Sequence, residues 1–180
     1  TRYGMEITDL SDLVASCGFS VFTGAIAAGG SVRCITAKNA VHALSRKEID
    51  KLTDLVKGIG GKGLAWIRMT DDGLASSFAK FMTESEMQAI RTRAGAEKGD
   101  VVLIVADAKT NHVLTQLGAL RIELARKLDL IPKDQYNLLW VVEFPFFEYD
   151  EDTGEWLAMH HPFTSPLDEC LPYLETDKGK

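Results

Sequence analysis

From Ser45 to Ile59 the apolar positions Ile49, Leu52, Leu55, Val56 and Ile59 recur every three or four residues, which places them on one helical face. Ser45 is an N-cap residue type, Glu48 stands three positions later as in a capping box, and Gly60-Gly61 stops the pattern. The same grammar recurs at Thr83 and Glu86, with Met87 and Ile90 apolar and Gly95 as the stop. The longest stripe runs from Asn111 to Leu128 through Val113, Leu117, Leu120 and Leu124, and Leu130-Ile131-Pro132 closes it. A short helix from Asp12 to Ser16, capped by Asp9 or Ser11 and ended by Gly18, completes the helical set.

Other stretches lack this period and are rich in Val, Ile, Phe and Thr. Met5 to Thr8 reads as a short strand and Gly63 to Met69 as a longer one. Phe19 to Ala25 and Ser31 to Ala37 flank Ala28-Gly29-Gly30, which predicts a strand–turn–strand unit. Val101 to Ala106 is an unbroken apolar run of strand length. Asn137 to Glu148 predicts a long strand and Glu155 to His160 its partner, joined by an acidic turn around Gly154, with Pro145 at an edge or bulge. This order predicts an α+β fold: helices packed on one face of a mostly antiparallel sheet, with a C-terminal β hairpin. Element type and charge both change at Pro132-Lys133-Asp134, so the expected division is residues 1–133 and 134–180.

With 180 residues, 46% of them apolar, the chain can bury a real core in one sizeable domain or two small ones. Its apolar runs stop well short of the ~20 residues of a membrane span. No basic segment followed by an apolar one opens it, so neither a signal peptide nor a membrane partner is expected. Cys17, Cys34 and Cys170 are odd in number and far apart, which suits reduced thiols and suggests neither a disulfide framework nor a zinc site. A net charge of −6 argues against a general grip on nucleic acid. That charge is uneven: residues 1–135 hold 18 Lys+Arg against 16 Asp+Glu, and residues 136–180 hold 2 against 10.

Candidate chemistry concentrates in Met159-His160-His161-Pro162-Phe163-Thr164-Ser165-Pro166. Neighbouring strand residues point to opposite faces, so His160 and His161 cannot both chelate one metal from a regular strand. An imidazole can instead hydrogen-bond a charged substrate, although a surface or core role is the commoner fate of such a pair. Asp168 and Glu169 are the nearest further ligand types, across a path stiffened by Pro162 and Pro166. Gly58-Ile59-Gly60-Gly61-Lys62-Gly63 looks like a phosphate loop, but it follows a helix and precedes a strand, the reverse of what phosphate binding needs. A helix C-cap and turn is the better reading, and a tight turn explains Ala27-Ala28-Gly29-Gly30-Ser31 equally well. Ser165 lacks a nucleophile elbow. His42 and His112 read as ordinary helix or loop residues, and Arg121, Arg126 and Lys127 as a solvated basic helix face.

Together these residues resemble the middle portion of the bacterial-type aspartyl-tRNA synthetases, a class II family. Arg2-Tyr3-Gly4-Met5-Glu6 is similar to the family's exit from its catalytic core. Ser45-Arg46-Lys47-Glu48-Ile49, Gly61-Lys62-Gly63-Leu64-Ala65-Trp66-Ile67, Lys80-Phe81 and Leu117-Gly118-Ala119-Leu120-Arg121 are similar to its insertion, the GAD domain, which is shared with the B subunit of the tRNA-dependent amidotransferase. Trp140-Val141-Val142-Glu143-Phe144-Pro145 and the His160-His161 segment are similar to the return into the core, and the last is the most specific match. The resemblance implies a cytoplasmic, homodimeric parent that joins aspartate to tRNA(Asp) using ATP and Mg²⁺. It assigns His160 to binding aspartate and its activated form, matches His161 to the family's second histidine, and implies no metal ligand or catalytic residue in this stretch. The ATP-binding motifs of class II and the anticodon-binding barrel have no counterpart in these 180 residues. The expectation is therefore a fragment, without a cofactor or activity of its own, that holds the insertion domain and one hairpin of the core. The insertion's role would be accessory, either contact with the tRNA acceptor end or support between domains. The rival readings are a free-standing α+β module that binds RNA or protein and, less favoured, a metal-dependent hydrolase built on His160 and His161.

Overall fold

Val101–Asp107 (β5) runs through the middle of the larger sheet, and its unbroken apolar sequence follows from burial on both faces: Val101, Leu103 and Val105 turn to one side, Val102 and Ile104 to the other. On one edge it pairs antiparallel with β2 (Ser31–Ala37), from Ser31 opposite Asp107 to Ala37 opposite Val101. On the other it pairs antiparallel with β3 (Ala65–Thr70), from Ala65 opposite Ile104 to Arg68 opposite Val101. Two short strands flank these, β1 (Thr8–Asp9) beside β2 and β4 (Gly73–Ser76) beside β3, giving the order β1-β2-β5-β3-β4. The computed structural model describes residues 3–140, 145–150, 153–159 and 165–178, and the chain divides into two units, Thr1–Asn137 and Leu138–Lys180. The sequence-drawn boundary lies four residues before this division.

An α+β fold with an antiparallel sheet is what the element order predicts. The helices, however, cover both faces of the sheet rather than one. On the first face α3 (Arg46–Gly58) and α5 (Thr110–Lys127) bury Ile49, Leu52, Val56, Val113, Leu117, Leu120 and Leu124 against Ile35, Leu103 and Val105. On the second, α1 (Ser11–Val14), α2 (Ser20–Ala27) and α4 (Glu84–Arg93) bury Val14, Phe22, Met87 and Ile90 against Val32, Cys34, Ile67, Met69 and Ile104. The physical reason is visible in the strands: β5 is apolar on both faces, and β2 and β3 each add buried apolar side chains to both, Ile35 and Trp66 to one and Val32, Cys34, Ile67 and Met69 to the other, so a single helical layer would leave one of those surfaces in water.

The structure also differs from the expectation at α2. Phe19 to Ala25 was expected as a strand but is helical from Ser20, because Phe22 and Ala25 lie one turn apart and bury together. Phe22 meets the Phe19 ring at 4.8 Å and the Phe78 ring at 5.2 Å. The glycines after it are a helix stop. Gly29 has φ +85°, Gly30 N–H donates to the Ala25 carbonyl (3.0 Å) and Gly29 N–H to the Ile26 carbonyl (2.9 Å), the paired bonds of a Schellman cap. Gly60 and Gly61 close α3 with the same pair of bonds, to Lys57 and Val56.

Only half of the expected capping box forms on α3. The Ser45 hydroxyl accepts from Glu48 N–H at 3.4 Å, while the Glu48 carboxylate turns to Lys51 at 2.7 Å and to Lys127 of α5. Hydrogen bonds from Lys127 and then Lys51 hold that carboxyl down at about 2. The box on α4 is complete: the Thr83 hydroxyl accepts from Glu86 N–H at 3.3 Å and the Glu86 carboxylate from Thr83 N–H at 2.7 Å.

In the second unit β6 (Phe147–Asp150) and β7 (Glu155–Ala158) form the antiparallel hairpin, with Phe147 opposite Ala158 and Asp150 opposite Glu155. The long strand expected from Asn137 is shorter than predicted. Residues 137–140 carry no regular structure, 141–144 lie outside the described residues, and the ladder starts at Phe147. Leu138 is 94% and Trp140 91% exposed, and no strand among the described residues pairs with this stretch.

Candidate functional site

His160 and His161 lie outside the described residues, as do Pro162, Phe163 and Thr164. On either side of them, Met159 N–H donates to the Phe146 carbonyl at 3.1 Å, prolonging the hairpin, and the Ser165 hydroxyl donates to the Pro166 carbonyl at 3.3 Å. Among the described residues no three His, Cys, Asp or Glu side chains gather as metal ligands would. No described helix is long and apolar enough to cross a membrane.

The remaining sequence candidates resolve into structural roles. Gly58 to Gly63 is the α3 C-cap and the entry to β3. On α5, Arg121 donates to the Gly4 carbonyl at 2.9 Å and lies 5.4 Å over the Tyr3 ring, and Lys127 pairs with Glu48, so both tie other segments to the helix. His112 Nδ1 stands 3.7 Å from Asp107 Oδ1 at the exposed start of α5. Cys17 and Cys34 are buried free thiols; burial, with Asp9 adding to it, pushes the Cys34 thiol up to about 12, which makes it a poor nucleophile. Cys170 is free and partly buried.

Within the first unit the structure opens a site that the sequence pattern does not announce. A cavity of about 560 Å³ lies between α2 and the end of β5. Phe19, Phe22 and Ala25 form one wall, Ile104 and Ala106 another, and Lys62 to Ala65 a third. Strand register creates it. Residues of β5 alternate in the edge to which they turn their backbone groups. The Val32 carbonyl accepts from Leu10 N–H on the β1 side, so its partner Ala106 turns its own N–H and C=O away from β2, toward β3. The β3 ladder begins only at Ala65, opposite Ile104, and the place opposite Ala106 falls to Gly63, which is not paired with it. Ala106 N–H and C=O therefore have no partner among the described residues and line the cavity. Lys62, exposed beside this gap, has no ion-pair partner among the described residues. A Cβ at Gly24 or Gly63 would meet nothing within 4 Å. Gly24, inside a helix where alanine would stabilise, is the one sequence signal that something there is kept open.

The fold is an α+β module with a ligand-sized cavity beside its central strand, and the comparisons with known proteins give the family. The GAD domain family matches residues 22–117, more than half of the chain, and the chain belongs to it. Curated relatives extend the similarity over nearly all 180 residues. An aspartate–tRNA ligase of Ruminiclostridium cellulolyticum is 58% identical over 99% of the chain and 30% of its own length. An aspartate–tRNA(Asp/Asn) ligase of Lachnoclostridium phytofermentans is 52% identical over 100% of the chain and 30% of its own length. An aspartate–tRNA ligase of Clostridium perfringens is 50% identical, with 99% and 30% covered. The chain thus spans about 30% of the length of the relatives it matches.

Proposed function

We propose that this chain is the GAD-bearing middle portion of an aspartate–tRNA ligase, with residues 1–133 as the insertion domain and 134–180 as part of the class II catalytic core. The observation that supports it most is identity of 50–58% with such ligases along both units, not only along the GAD match at 22–117. On this reading the complete protein activates aspartate with ATP and Mg²⁺ and transfers it to tRNA(Asp), as a cytoplasmic homodimer. His160 hydrogen-bonds aspartate and the aspartyl-adenylate, and His161 stands beside it. The insertion domain itself is accessory, contacting the tRNA acceptor end or supporting the domains around it. The free-standing module is not favoured, because the relatives carry this stretch inside a chain about three times as long.

Aspartate-dependent ATP–pyrophosphate exchange and tRNA aspartylation, measured on the complete gene product and on the 180-residue chain, test this reading. The complete protein is expected to catalyse both, and the shorter chain neither. Exchange by the 180-residue chain alone, or a complete protein inert toward aspartate, overturns it.

A further inference from the structure

We propose that residues 62–64 form a strap with two positions: the open one of this structure, and a closed one in which Gly63 and Ala106 exchange hydrogen bonds and the strap narrows the cavity beside α2. Strand register defines the second position. In an antiparallel ladder, residues that exchange both hydrogen bonds recur at every second pair. Ala65 stands opposite Ile104, and Ala106 turns its N–H and C=O to the β3 side, so the next such pair along β5 is Ala106 with Gly63. That pair is missing from the ladder, and both residues line the cavity. Two polar side chains of the lining are already committed elsewhere. Ser77 Oγ accepts from Trp66 N–H at 3.1 Å, and Asp107 Oδ1 accepts from Lys109 N–H at 3.0 Å. The Ala106 main chain is therefore left for Gly63.

The span that must move is short and fixed at both ends. Gly61 N–H donates to the Val56 carbonyl at 2.8 Å, and a Cβ on Gly61 would meet Val56 Cγ1 at 2.3 Å and Gln116 Oε1 at 2.9 Å, so this residue is wedged between α3 and α5. Ala65 is held opposite Ile104. Between these anchors Gly63 has the freedom of a residue without Cβ, and a Cβ built there meets nothing within 4 Å. Lys62 is exposed and Leu64 only partly buried. Closing gains two hydrogen bonds for groups that have no partner when open, and it costs the conformational freedom of residues 62–64, most of all that of Gly63. Opposed terms of similar size are the condition for two populated positions. The proposal stands on the first unit alone and does not depend on the ligase reading.

The test is amide hydrogen exchange and NMR on the 180-residue chain and on its Gly63→Val and Gly63→Ala variants. A β-branched side chain favours the extended conformation and removes the freedom that glycine keeps in the open position, so Gly63→Val is expected to shift the strap toward closure. Ala106 N–H should then exchange at least about tenfold more slowly than in the parent, while Ile104 N–H, already within the ladder, keeps its rate. A hydrogen-bond scalar coupling should appear between Ala106 N–H and the carbonyl of residue 63. In the closed register position 63 lies on the same side of the sheet as Ala65 and Ala106, so cross-relaxation should appear between the introduced methyls and the Phe22 ring across the cavity. Gly63→Ala should give a smaller change in the same direction, and it is the deciding variant should Gly63→Val misfold. Equal Ala106 exchange in parent and variants, equal slowing at Ile104 and Ala106, or a folded variant without contact to Phe22 overturns the proposal.

Discussion

Lys38 and Asp100 meet where β2 leaves the sheet and β5 enters it, Nζ to Oδ2 at 2.9 Å, with the carboxylate 2% exposed and the lysine half exposed. Asp100 also accepts from Asn39 N–H on Oδ1 and from Glu97 N–H on Oδ2, each at 2.9 Å. Burial alone would raise this carboxyl, but hydrogen bonds from Glu97, Asn39 and Lys38 outweigh it and hold the group below the ordinary aspartate range. One side chain thereby fixes two connections, including the left-handed turn at Asn39 (φ 52°).

Asp100→Ala should therefore lower stability by about 2–4 kcal/mol, because it orphans two backbone donors at once and leaves Lys38 only the Gly95 carbonyl and solvent. The pH dependence has a definite sign. A lowered folded pKa means that the unfolded chain binds the proton more readily, so this stabilisation is complete above the ordinary carboxylate range. It is lost as the pH falls below about 4 toward the folded value. Denaturant midpoints between pH 2.5 and pH 7 should show the parent losing more stability across the acid range than the variant. Parallel curves would remove Asp100 from the account.

Two glycines make opposite predictions. A Cβ on Gly30 would lie 1.9 Å from the Asp107 carbonyl oxygen and 2.5 Å from the Ala108 carbonyl carbon, backbone that cannot yield. Gly30→Ala should cost about 2 kcal/mol or more. Gly24 sits within α2 with open space at its Cβ position, and Gly24→Ala should stabilise by roughly 0.5–1 kcal/mol. Thermal melts of the two variants should move in opposite directions.

Backbone amide exchange should separate the two units. A two-stranded ladder cannot bury its own faces, and Tyr149, Trp156 and Leu157 remain substantially exposed on it. Amides of β6 and β7 should exchange at least about a hundredfold faster than those of α5 and β5, where burial is nearly complete. Equal protection in the 180-residue chain would mean that the hairpin is held as firmly as the core.

His160→Ala in the complete protein should lower aspartate affinity or the aspartylation rate by about ten- to a hundredfold, the loss of one or two hydrogen bonds to a charged ligand. In the 180-residue chain the same change should shift stability by no more than about 0.5 kcal/mol. Normal kinetics combined with a large drop in the denaturant midpoint would make His160 a structural residue.

Helices that carry their own grammar were legible. In α3, α4 and α5 the apolar spacing, the Ser45 and Thr83 caps and the glycine stops are local, and each element lies within a residue or two of its expected span. Phe19 to Ala27 was not legible, because Val21, Phe22, Thr23 and Ile26 favour a strand locally and only the packing of Phe22 against Phe19 and Phe78 makes the helix the better state. The cavity escaped for a similar reason. It depends on where the β3 ladder begins relative to β5, and no residue between Lys62 and Ala65 states that register.

The sequence by itself determined the helices α3, α4 and α5, the capping roles of Ser45 and Thr83 and the strand that starts at Val101, since those depend on neighbours a few residues away and on how continuous the apolar run is. Its resemblance to a family came from spelling and not from geometry. Only the tertiary structure decided that helices cover both faces, that Glu48 leaves its own cap for Lys127 79 residues away, and that Ala106 keeps an unpaired N–H and C=O beside an open cavity. Those outcomes depend on which distant surfaces meet, and the free energy of burial that selects them belongs to the assembled pair of surfaces rather than to either segment alone.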